Sequence, residues 1–240
     1  MGYREIPAPA ELRSLVECGW ASDGAPEDAR VLPDGCMDLI RSGDRVIVAG
    51  PDTTAFVAQR GPEPLHGLRF RPGVLPRLLG VPAAELRNTR VDLRDLRTTG
   101  ADRSLLQLTV ALAAETPRAE TTPWPLPVLR DVTRRLAAGD SVTATARHAG
   151  WSSRTLQRQC AAVYGYGPAT LRRILRFRRA VELIHTGMDT SAVAAHAGYA
   201  DQPHLYREVR ELAGVPLRQL SSAANRSTDV PAGSSTVAYR

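Results

Sequence analysis

The apolar positions of this 240-residue chain follow two different periods. In the first half they form short runs divided by Gly, Pro, Asp and Ser, at residues 15–20, 30–32, 37–41, 45–49, 55–59 and 65–71. Runs of this length and punctuation predict an antiparallel β-rich sheet or a small barrel. Ser42, Gly43 and Asp44, between two of the runs, predict a tight hairpin turn.

A helical period begins after residue 73. Apolar residues three and four apart predict accessory helices over residues 74–79, 83–86, 93–96 and 104–115, which we expect to pack on the sheet or to form an interface. The same spacing predicts longer helices over residues 126–138 and 168–186. The fold class is therefore α+β, with a β-rich N-terminal part and an all-α C-terminal part.

One pattern occurs twice between residues 141 and 220. Each copy has a short Ala-rich helix, a His-Ala-Gly-aromatic turn, a polar N-cap and a second amphipathic helix. Gly150 and Gly198 stand where a left-handed residue is needed at a helix end, and Ser152 and Asp201 can cap the next helix. These elements are typical of a helix-turn-helix. The C-terminal part is predicted to be two such units joined by one long helix.

The second helix of each copy carries polar side chains on its outer face. Leu156 and Leu205 are expected to point inward. The outer positions are Arg154, Gln157 and Arg158 in the first copy, and Gln202, His204 and Arg207 in the second. Arg and Gln can pair bidentately with guanine and adenine edges, so both helices have the chemistry to read base pairs.

The two copies differ in spacing by one residue. From the aromatic residue to the inward leucine the first copy takes five steps and the second takes six, because Ala200 is extra. This arrangement resembles the AraC/XylS family of transcription regulators, over residues 125–220. The resemblance implies that both second helices enter successive major grooves on one DNA face. By position it implies DNA contacts from Arg154, Thr155, Gln157, Arg158, Gln202, Pro203, His204 and Arg207.

The rest of the chain divides by composition. Residues 1–120 are predicted to form a β-rich sensor or dimerisation domain, in which residues 33–40 and 67–73 resemble a domain often found ahead of AraC-type DNA-binding domains. Four prolines between residues 116 and 127 predict a stiff linker, bounded at 121–127. The DNA-binding domain then occupies 125–220, and the polar residues 221–240 predict a disordered tail.

Positive charge is concentrated in the C-terminal half. Residues 1–123 hold 15 Arg and 17 acidic residues, a net −2, whereas residues 124–225 hold 14 Arg and 7 acidic residues, a net +7. The chain has no Lys, so genome composition explains the use of Arg but not this asymmetry. The asymmetry favours nucleic-acid binding. Five of the arginines lie on the predicted helix over 168–186. Some of them could contact phosphates, but we interpret most of them as a solvated face.

Other classes of function lack support in the sequence. No apolar run approaches a membrane span and no signal peptide is recognisable, so we expect a cytoplasmic protein without a membrane partner. Three cysteines without a close pair argue against a disulfide framework. No nucleotide-binding glycine loop, metalloprotease helix or nucleophile elbow is present, so we predict no enzyme activity, no cofactor and no metal.

Three histidines have an ordinary and a functional interpretation. His148 and His196 precede the two turns, where contact with the helix dipole and the last carbonyls is favoured over a metal pair. His204 faces the expected DNA side, and contact with a base or phosphate is as well supported as simple exposure.

The N-terminal half offers one candidate cluster. Cys36 could be a thiol sensor, or it could form a catalytic or metal cluster with Asp34, Asp38 and His66, but a buried strand cysteine is favoured. Cys160 stands where the repeat needs an inward residue. Trp20 and Phe56 could line a ligand pocket, although core positions are favoured for both.

Two hypotheses of different class follow. The first is a sequence-specific transcriptional regulator whose partners are double-stranded DNA, a small-molecule effector, RNA polymerase and a second copy of the chain. The alternative is a DNA-directed enzyme or alkylation-repair adaptor, with Cys18 or Cys36 as nucleophile. A third possibility is that the N-terminal domain only binds another protein.

Overall fold

The computed structural model describes residues 2–23, 28–59, 61, 63–98, 103–115, 124–223 and 229–230. An antiparallel β-sheet region is followed by a helical region, which confirms the predicted α+β class. Within the described residues, no helix is both long enough and apolar enough to cross a lipid bilayer.

The larger sheet has six antiparallel strands in the order β1-β2-β7-β4-β5-β8. They are β1 (Tyr3–Pro7), β2 (Val16–Ser22), β4 (Met37–Ser42), β5 (Arg45–Ala49), β7 (Leu65–Phe70) and β8 (Arg90–Asp92). The predicted hairpin joins β4 to β5, with Gly43 at φ 56°. Leu39 lies between Val48 and Leu68 in register, so one face of the sheet is apolar and faces the core.

A smaller sheet has the order β6-β3-β9, with β3 (Ala29–Val31), β6 (Phe56–Ala58) and β9 (Asp229–Val230). Strand β9 runs parallel to β3. Strand β9 and the end of the last helix both lie within residues 221–240, which were predicted to be a disordered tail. The prediction is therefore wrong for these two parts. Residues 224–228 and 231–240 lie outside the described residues.

Three accessory helices follow the sheet. They are α1 (Val74–Leu79), α2 (Leu93–Leu96) and α3 (Leu105–Ala114), with 3₁₀ turns at Ala10–Leu12 and Ala83–Glu85. Helix α3 begins with a capping box between Ser104 and Gln107. It carries no charged residue, and it buries Leu108 and Leu112 against the sheet region.

The C-terminal half is helical. Its helices are α4 (Leu126–Ala137), α5 (Val142–His148), α6 (Ser153–Tyr164), α7 (Pro168–His185), α8 (Thr190–Ala197), α9 (Gln202–Ala213) and α10 (Leu217–Ala223). The helix predicted over residues 126–138 is observed as α4. Residues 126 and 127, which the predicted linker also included, form its first turn, where Pro127 removes no helical hydrogen bond. Residues 116–123 of that linker lie outside the described residues.

One hydrophobic core crosses the boundary between the halves. Leu75 and Leu79 of α1 belong to the same buried cluster as Leu129 of α4 and Val163 of α6. The turn before α1 is pressed into this core, because a Cβ on Gly73 would lie 2.6 Å from the Val163 side chain. A second cluster surrounds α8 and α9, and it includes Leu32 from the N-terminal half.

One expectation about the core was wrong, and the sheet differs from the predicted pattern in two further places. Phe56 is 40% exposed, because it lies on the short strand β6 with the Arg90 guanidinium over its ring. Strands β1 and β8 were not predicted at all, and both lie at the edges of the sheet. Cys36 is buried as expected, but it precedes β4 rather than lying within it.

Candidate nucleic-acid interface

Two helix-turn-helix units are built by the signals that the sequence predicted. In the first, the Ser152 hydroxyl accepts from the Thr155 amide at 3.1 Å, after Gly150 at φ 73°. In the second, the Asp201 carboxylate accepts from the His204 amide at 2.7 Å, after Gly198 at φ 80°. Each cap satisfies a free amide at the start of the second helix, so α6 and α9 begin where the repeat predicts.

The inward leucines orient both helices. Leu156 and Leu205 are fully buried, and they occupy the same position in the two copies. In α6 this leaves Arg154, Gln157 and Arg158 exposed. Gln157 also packs against the backbone before α7, since a Cβ on Gly167 would lie 2.2 Å from its amide nitrogen.

Thr155 is only half-buried, and its hydroxyl lies 2.9 Å from that of Ser152. It therefore takes part in the N-cap as well as standing near the outer face. Of the four candidate residues in α6, Thr155 is the one whose side chain already forms a hydrogen bond within the unit.

The candidates in α9 divide into two pairs. Pro203 and Arg207 are exposed. Gln202 is half-buried, and its amide donates to the Thr190 hydroxyl at 3.4 Å. His204 is turned back towards the turn, where its ring meets Tyr199 edge-on at 5.2 Å and accepts from the Ala200 amide at 3.5 Å. The side chains of Gln202 and His204 are thus engaged within the unit.

Sequence reasoning missed Tyr206. Its side chain is 44% exposed, beside Arg207 on the outer face of α9. When Leu205 is aligned with Leu156, Tyr206 corresponds to Gln157, which is a predicted DNA contact in the first copy. Applying one register to both copies would have found it.

Three arginines remain available on the two outer faces. Arg154, Arg158 and Arg207 are exposed, and none forms an ion pair among the described residues. Neither Arg158 nor Arg207 donates a hydrogen bond to a described residue. Their guanidinium groups are free to meet an external acceptor.

The arginines of α7 behave differently, and their interpretation as a solvated face was wrong. The buried Glu208 carboxylate accepts from Arg173 at 3.1 Å and from Arg176, whose guanidinium also lies 4.5 Å from the Tyr199 ring centre. Arg178 is largely buried and pairs with Glu17 of β2. These ion pairs join α7 to α9 and to strand β2.

The two turn histidines have different partners. His196 Nδ1 lies 2.8 Å from the Ala192 carbonyl of its own helix, as expected. His148 instead lies 3.2 Å from the Asp131 carboxylate of α4 and beside Arg135, so the expected contact with its own helix end was wrong.

The two N-terminal cysteines are poorly suited to nucleophilic chemistry. Cys18 and Cys36 are buried, and burial raises the pKa of the Cys18 thiol to about 12. The pKa of the Cys36 thiol is also raised, by burial and by the negative charge of Asp34. A reactive cysteine requires an accessible thiolate, so the alternative enzyme hypothesis gains no support.

A buried ionic cluster covers the second face of the large sheet. Arg69 lies 3.3 Å from Asp34 and 3.6 Å from Asp38, and the Trp20 indole donates to Asp38 at 2.9 Å. Burial raises the pKa of Asp38 to about 6, against the lowering effect of Arg69. His66 is exposed, and in the described part of the chain no three His, Cys, Asp or Glu residues could together hold a metal.

Comparison with known families decides the identity of the C-terminal half. Residues 131–223 match the family described as a helix-turn-helix domain, and residues 4–92 match a domain of unknown function, DUF6597. The chain carries an AraC-type helix-turn-helix domain. It is a DNA-binding transcription regulator in which this domain follows a β-rich domain.

Several solved structures are similar to this chain. An AraC-type transcriptional regulator from Chromobacterium violaceum matches with 22% identity and a TM-score of 0.39, over 42% of this chain and 94% of that chain. ToxT from Vibrio cholerae O395 matches with 9% identity and a TM-score of 0.45, over 83% and 89%. The same protein bound to (E)-4-(8-methylnaphthalen-1-yl)but-3-enoic acid matches with 7% identity and a TM-score of 0.48, over 93% and 100%. No curated protein matches significantly.

Proposed function

We propose that α6 and α9 read two successive major-groove segments of one operator. The observation that carries this proposal is the availability of Arg158 and Arg207, which occupy equivalent positions and have no carboxylate partner in the described part of the chain. Three of the five arginines of α7, namely Arg173, Arg176 and Arg178, pair with Glu17, Glu208 or Glu211, whereas Arg158 and Arg207 have no such partner among the described residues.

Base contacts are assigned to the exposed outer positions. In α6 these are Arg154, Gln157 and Arg158, and in α9 they are Pro203, Tyr206 and Arg207. Arg can donate two bonds to guanine, Gln can pair with adenine, and an aromatic or proline ring can contact a thymine methyl. Thr155, Gln202 and His204 are assigned to phosphate contacts or to positioning, because each has a partner within its own unit.

The test compares arginines that differ only in position. Operator fragments would first be selected from genomic DNA with the full chain. Arg158→Ala and Arg207→Ala should each weaken operator binding by about 5- to 150-fold, equivalent to about 1–3 kcal/mol, and should change binding to random DNA much less. Arg210→Ala, one turn further along α9, should weaken both DNAs to a similar, small extent.

The footprint gives a second readout. Methylation protection should show two protected patches with centres one helical turn, about 34–36 Å, apart. Equal losses on operator and random DNA for Arg158→Ala and Arg207→Ala, or a single protected patch, would contradict two-segment reading.

A small-molecule effector is the proposed regulator of this activity. The Tyr166 hydroxyl, between α6 and α7, is buried and has no hydrogen-bond partner among the described residues. Burial raises the pKa of Tyr166, and the nearby carboxylates of Asp34 and Asp52 raise it further. An unsatisfied donor beside carboxylates favours a polar occupant at this junction.

The effector proposal can be tested by ligand-induced thermal stabilisation. In a metabolite screen, a compound that stabilises the wild-type chain should stabilise Tyr166→Phe less. Without ligand the two proteins should unfold at similar temperatures, because the lost hydroxyl makes no hydrogen bond. Equal ligand-induced shifts in both proteins would place the effector elsewhere.

Homodimerisation is proposed to use α3. Val110 is 56% exposed and Leu106 lies one turn before it on a helix without charged residues. Arg103 precedes the helix and Glu115 follows it, so two antiparallel copies would bring opposite charges together. One such helix face is small against the roughly 800 Å² per partner of a stable interface, so the dimer should be weak without DNA.

A further inference from the structure

The two recognition helices end in the same way. Helix α6 ends at Gly165, with φ 84°, and α9 ends at Gly214, with φ 69°. These glycines are equivalent in the repeat, since each follows its inward leucine by nine residues. The last carbonyls of a helix have no hydrogen-bond partner within the helix, so they need donors from outside it.

The N-terminal half supplies those contacts at the end of α6. Arg87 Nη1 donates to the Gly165 carbonyl at 3.3 Å. The backbone approaches closely, because a Cβ on Gly165 would lie 2.7 Å from the Pro51 ring and 3.1 Å from the Ala83 carbonyl.

The N-terminal half supplies them again at the end of α9. Arg30 Nη1 donates to the Ala213 carbonyl at 3.0 Å. The Ala55 amide donates to the Leu212 carbonyl at 2.7 Å. A guanidinium at a helix C-terminus is also favoured by the helix dipole, so Arg30 and Arg87 play the same part at the two ends.

One short segment links the two contact points. Pro51 touches α6 and Ala55 binds α9, and four residues of extended chain span at most about 14 Å. The segment is held firmly: Arg90 Nη1 donates to Asp52 at 3.0 Å, and the Asn88 side chain accepts from the Thr53 amide at 2.8 Å. It therefore cannot lengthen freely between the two helices.

We propose that residues 50–55, with Arg30 and Arg87, form a brace that fixes the separation and relative angle of α6 and α9. The exposed reading positions lie in the first two turns of these helices, and the brace holds the opposite ends. Because a helix moves as a rod, a shift at its last turn redirects its first. Arg30 and Arg87 are thus positioning residues that set which operator spacing the protein accepts, an inference that rests on two-segment reading.

The experiment measures tolerance to operator spacing. Binding of the full chain would be compared on operators with the two segments moved apart or together by one and two base pairs. The wild type should prefer its own spacing by about 5- to 150-fold, the range of ordinary coupling between sites. The Arg30→Ala/Arg87→Ala double variant should retain only about a twofold preference, with gains on the altered spacings.

Two controls make the result specific, and the single variants replace the double variant if it does not fold. Arg4→Ala removes an exposed arginine of β1 that pairs with Asp23, far from residues 50–55, and should keep the wild-type preference. Arg30→Lys/Arg87→Lys keeps both charges and should restore part of the preference. If the double alanine variant does not fold, the single variants Arg30→Ala and Arg87→Ala carry the same measurement.

The outcomes separate the two proposals. A wild type that binds operator and random DNA alike overturns two-segment reading itself. A wild type with a spacing preference that the alanine variants share overturns the brace alone. A uniform loss of affinity across all spacings, tracking a lower unfolding temperature, also overturns the brace, because it shows support without positioning.

Discussion

The first helix-turn-helix unit rests on aromatic rings, whereas the second rests on charges. Trp151, in the first turn, stacks on Trp124 with ring centres 5.1 Å apart. Tyr199, at the equivalent place in the second, lies under the guanidinium of Arg176. The contrast continues one step inward: Gln159 accepts from the Trp124 indole, and its equivalent Glu208 accepts from two arginines.

This difference shows that the repeat preserves the reading geometry and not the means of support. Each unit has an N-cap side chain that accepts a helix amide, a turn glycine with positive φ and a buried inward leucine. The surroundings are not the same, since α4 and Trp124 cover the first unit and α7 faces the second. Each unit has adapted its supporting residues to the neighbour it happens to have.

The largest effect should come from removing the aromatic support. Trp124→Ala should lower the free energy of unfolding by about 3–5 kcal/mol, because it leaves a cavity beside Trp151 and Tyr164. Denaturant unfolding would measure the loss. Phe56→Ala, at an exposed aromatic, should cost far less, and a similar cost for both would contradict the assigned role of Trp124.

Hydrogen exchange can sharpen this result. In Trp124→Ala the amides of α5 and α6 should exchange faster, while those of α8 and α9 change little. Uniform acceleration would mean that the two units open together.

The ionic support should rank next. Glu208→Ala leaves Arg176 without its carboxylate and should cost about 3 kcal/mol. Gln159→Ala, at the equivalent position, removes one neutral hydrogen bond and should cost about 1 kcal/mol. Glu211→Ala removes an exposed partner of Arg173 and should change stability little. Equal losses of unfolding free energy for Gln159→Ala and Glu208→Ala would contradict the difference between neutral and ionic support in the two units.

Acid should weaken the ionic supports selectively. Burial alone would raise the pKa of Glu17, but the charge of Arg178 and its hydrogen bonds outweigh burial and lower it to about 2. Because the folded pKa is below the ordinary value of 4.5, the stabilisation is complete above pH 4.5 and is lost as the pH falls towards 2. The wild type should lose on the order of 2–3 kcal/mol in that window.

Glu17→Gln isolates this contribution. The variant should be less stable than the wild type at pH 6, and the difference should shrink as the pH falls below 4.5. Unfolding midpoints at a series of pH values give the comparison, and parallel curves for the two proteins would show that Glu17 does not titrate as described.

The smallest effects should be equal in the two units. Ser152→Ala and Asp201→Ala each remove one N-cap and should each cost about 1 kcal/mol. Asp201→Asn keeps the acceptor oxygen and should cost little. If only one of the two alanine substitutions lowered the free energy of unfolding, the N-cap would not have the same role in both units.

The parts of the fold that the sequence predicted are those set by neighbouring residues. Ser152 and Asp201 cap helices through amides three residues away, and the turn glycines act at their own positions. The order of elements and the inward leucines follow from such signals. For the same reason much of the outer faces of α6 and α9 follows from the sequence. The exceptions are in α9, where Tyr206 was missed and Gln202 and His204 are half-buried with partners in their own unit.

The parts that sequence reasoning missed depend on distant partners. Arg178 meets Glu17 across 161 positions, and Arg30 meets the Ala213 carbonyl across 183. No local pattern distinguishes such an arginine from a solvated one. Edge strands β1 and β8 are similar, because their pairing partners, rather than their own composition, make them strands.

The cluster shared by α1, α4 and α6 has a consequence for how this protein can be divided or inherited. A fragment starting near Pro125 would expose to water the apolar surface that Leu75, Leu79 and the Gly73 turn now cover. Exchange of the first half for that of another regulator would have to reproduce the same contour. The two halves are therefore expected to be inherited together, and not to be exchanged singly between regulators.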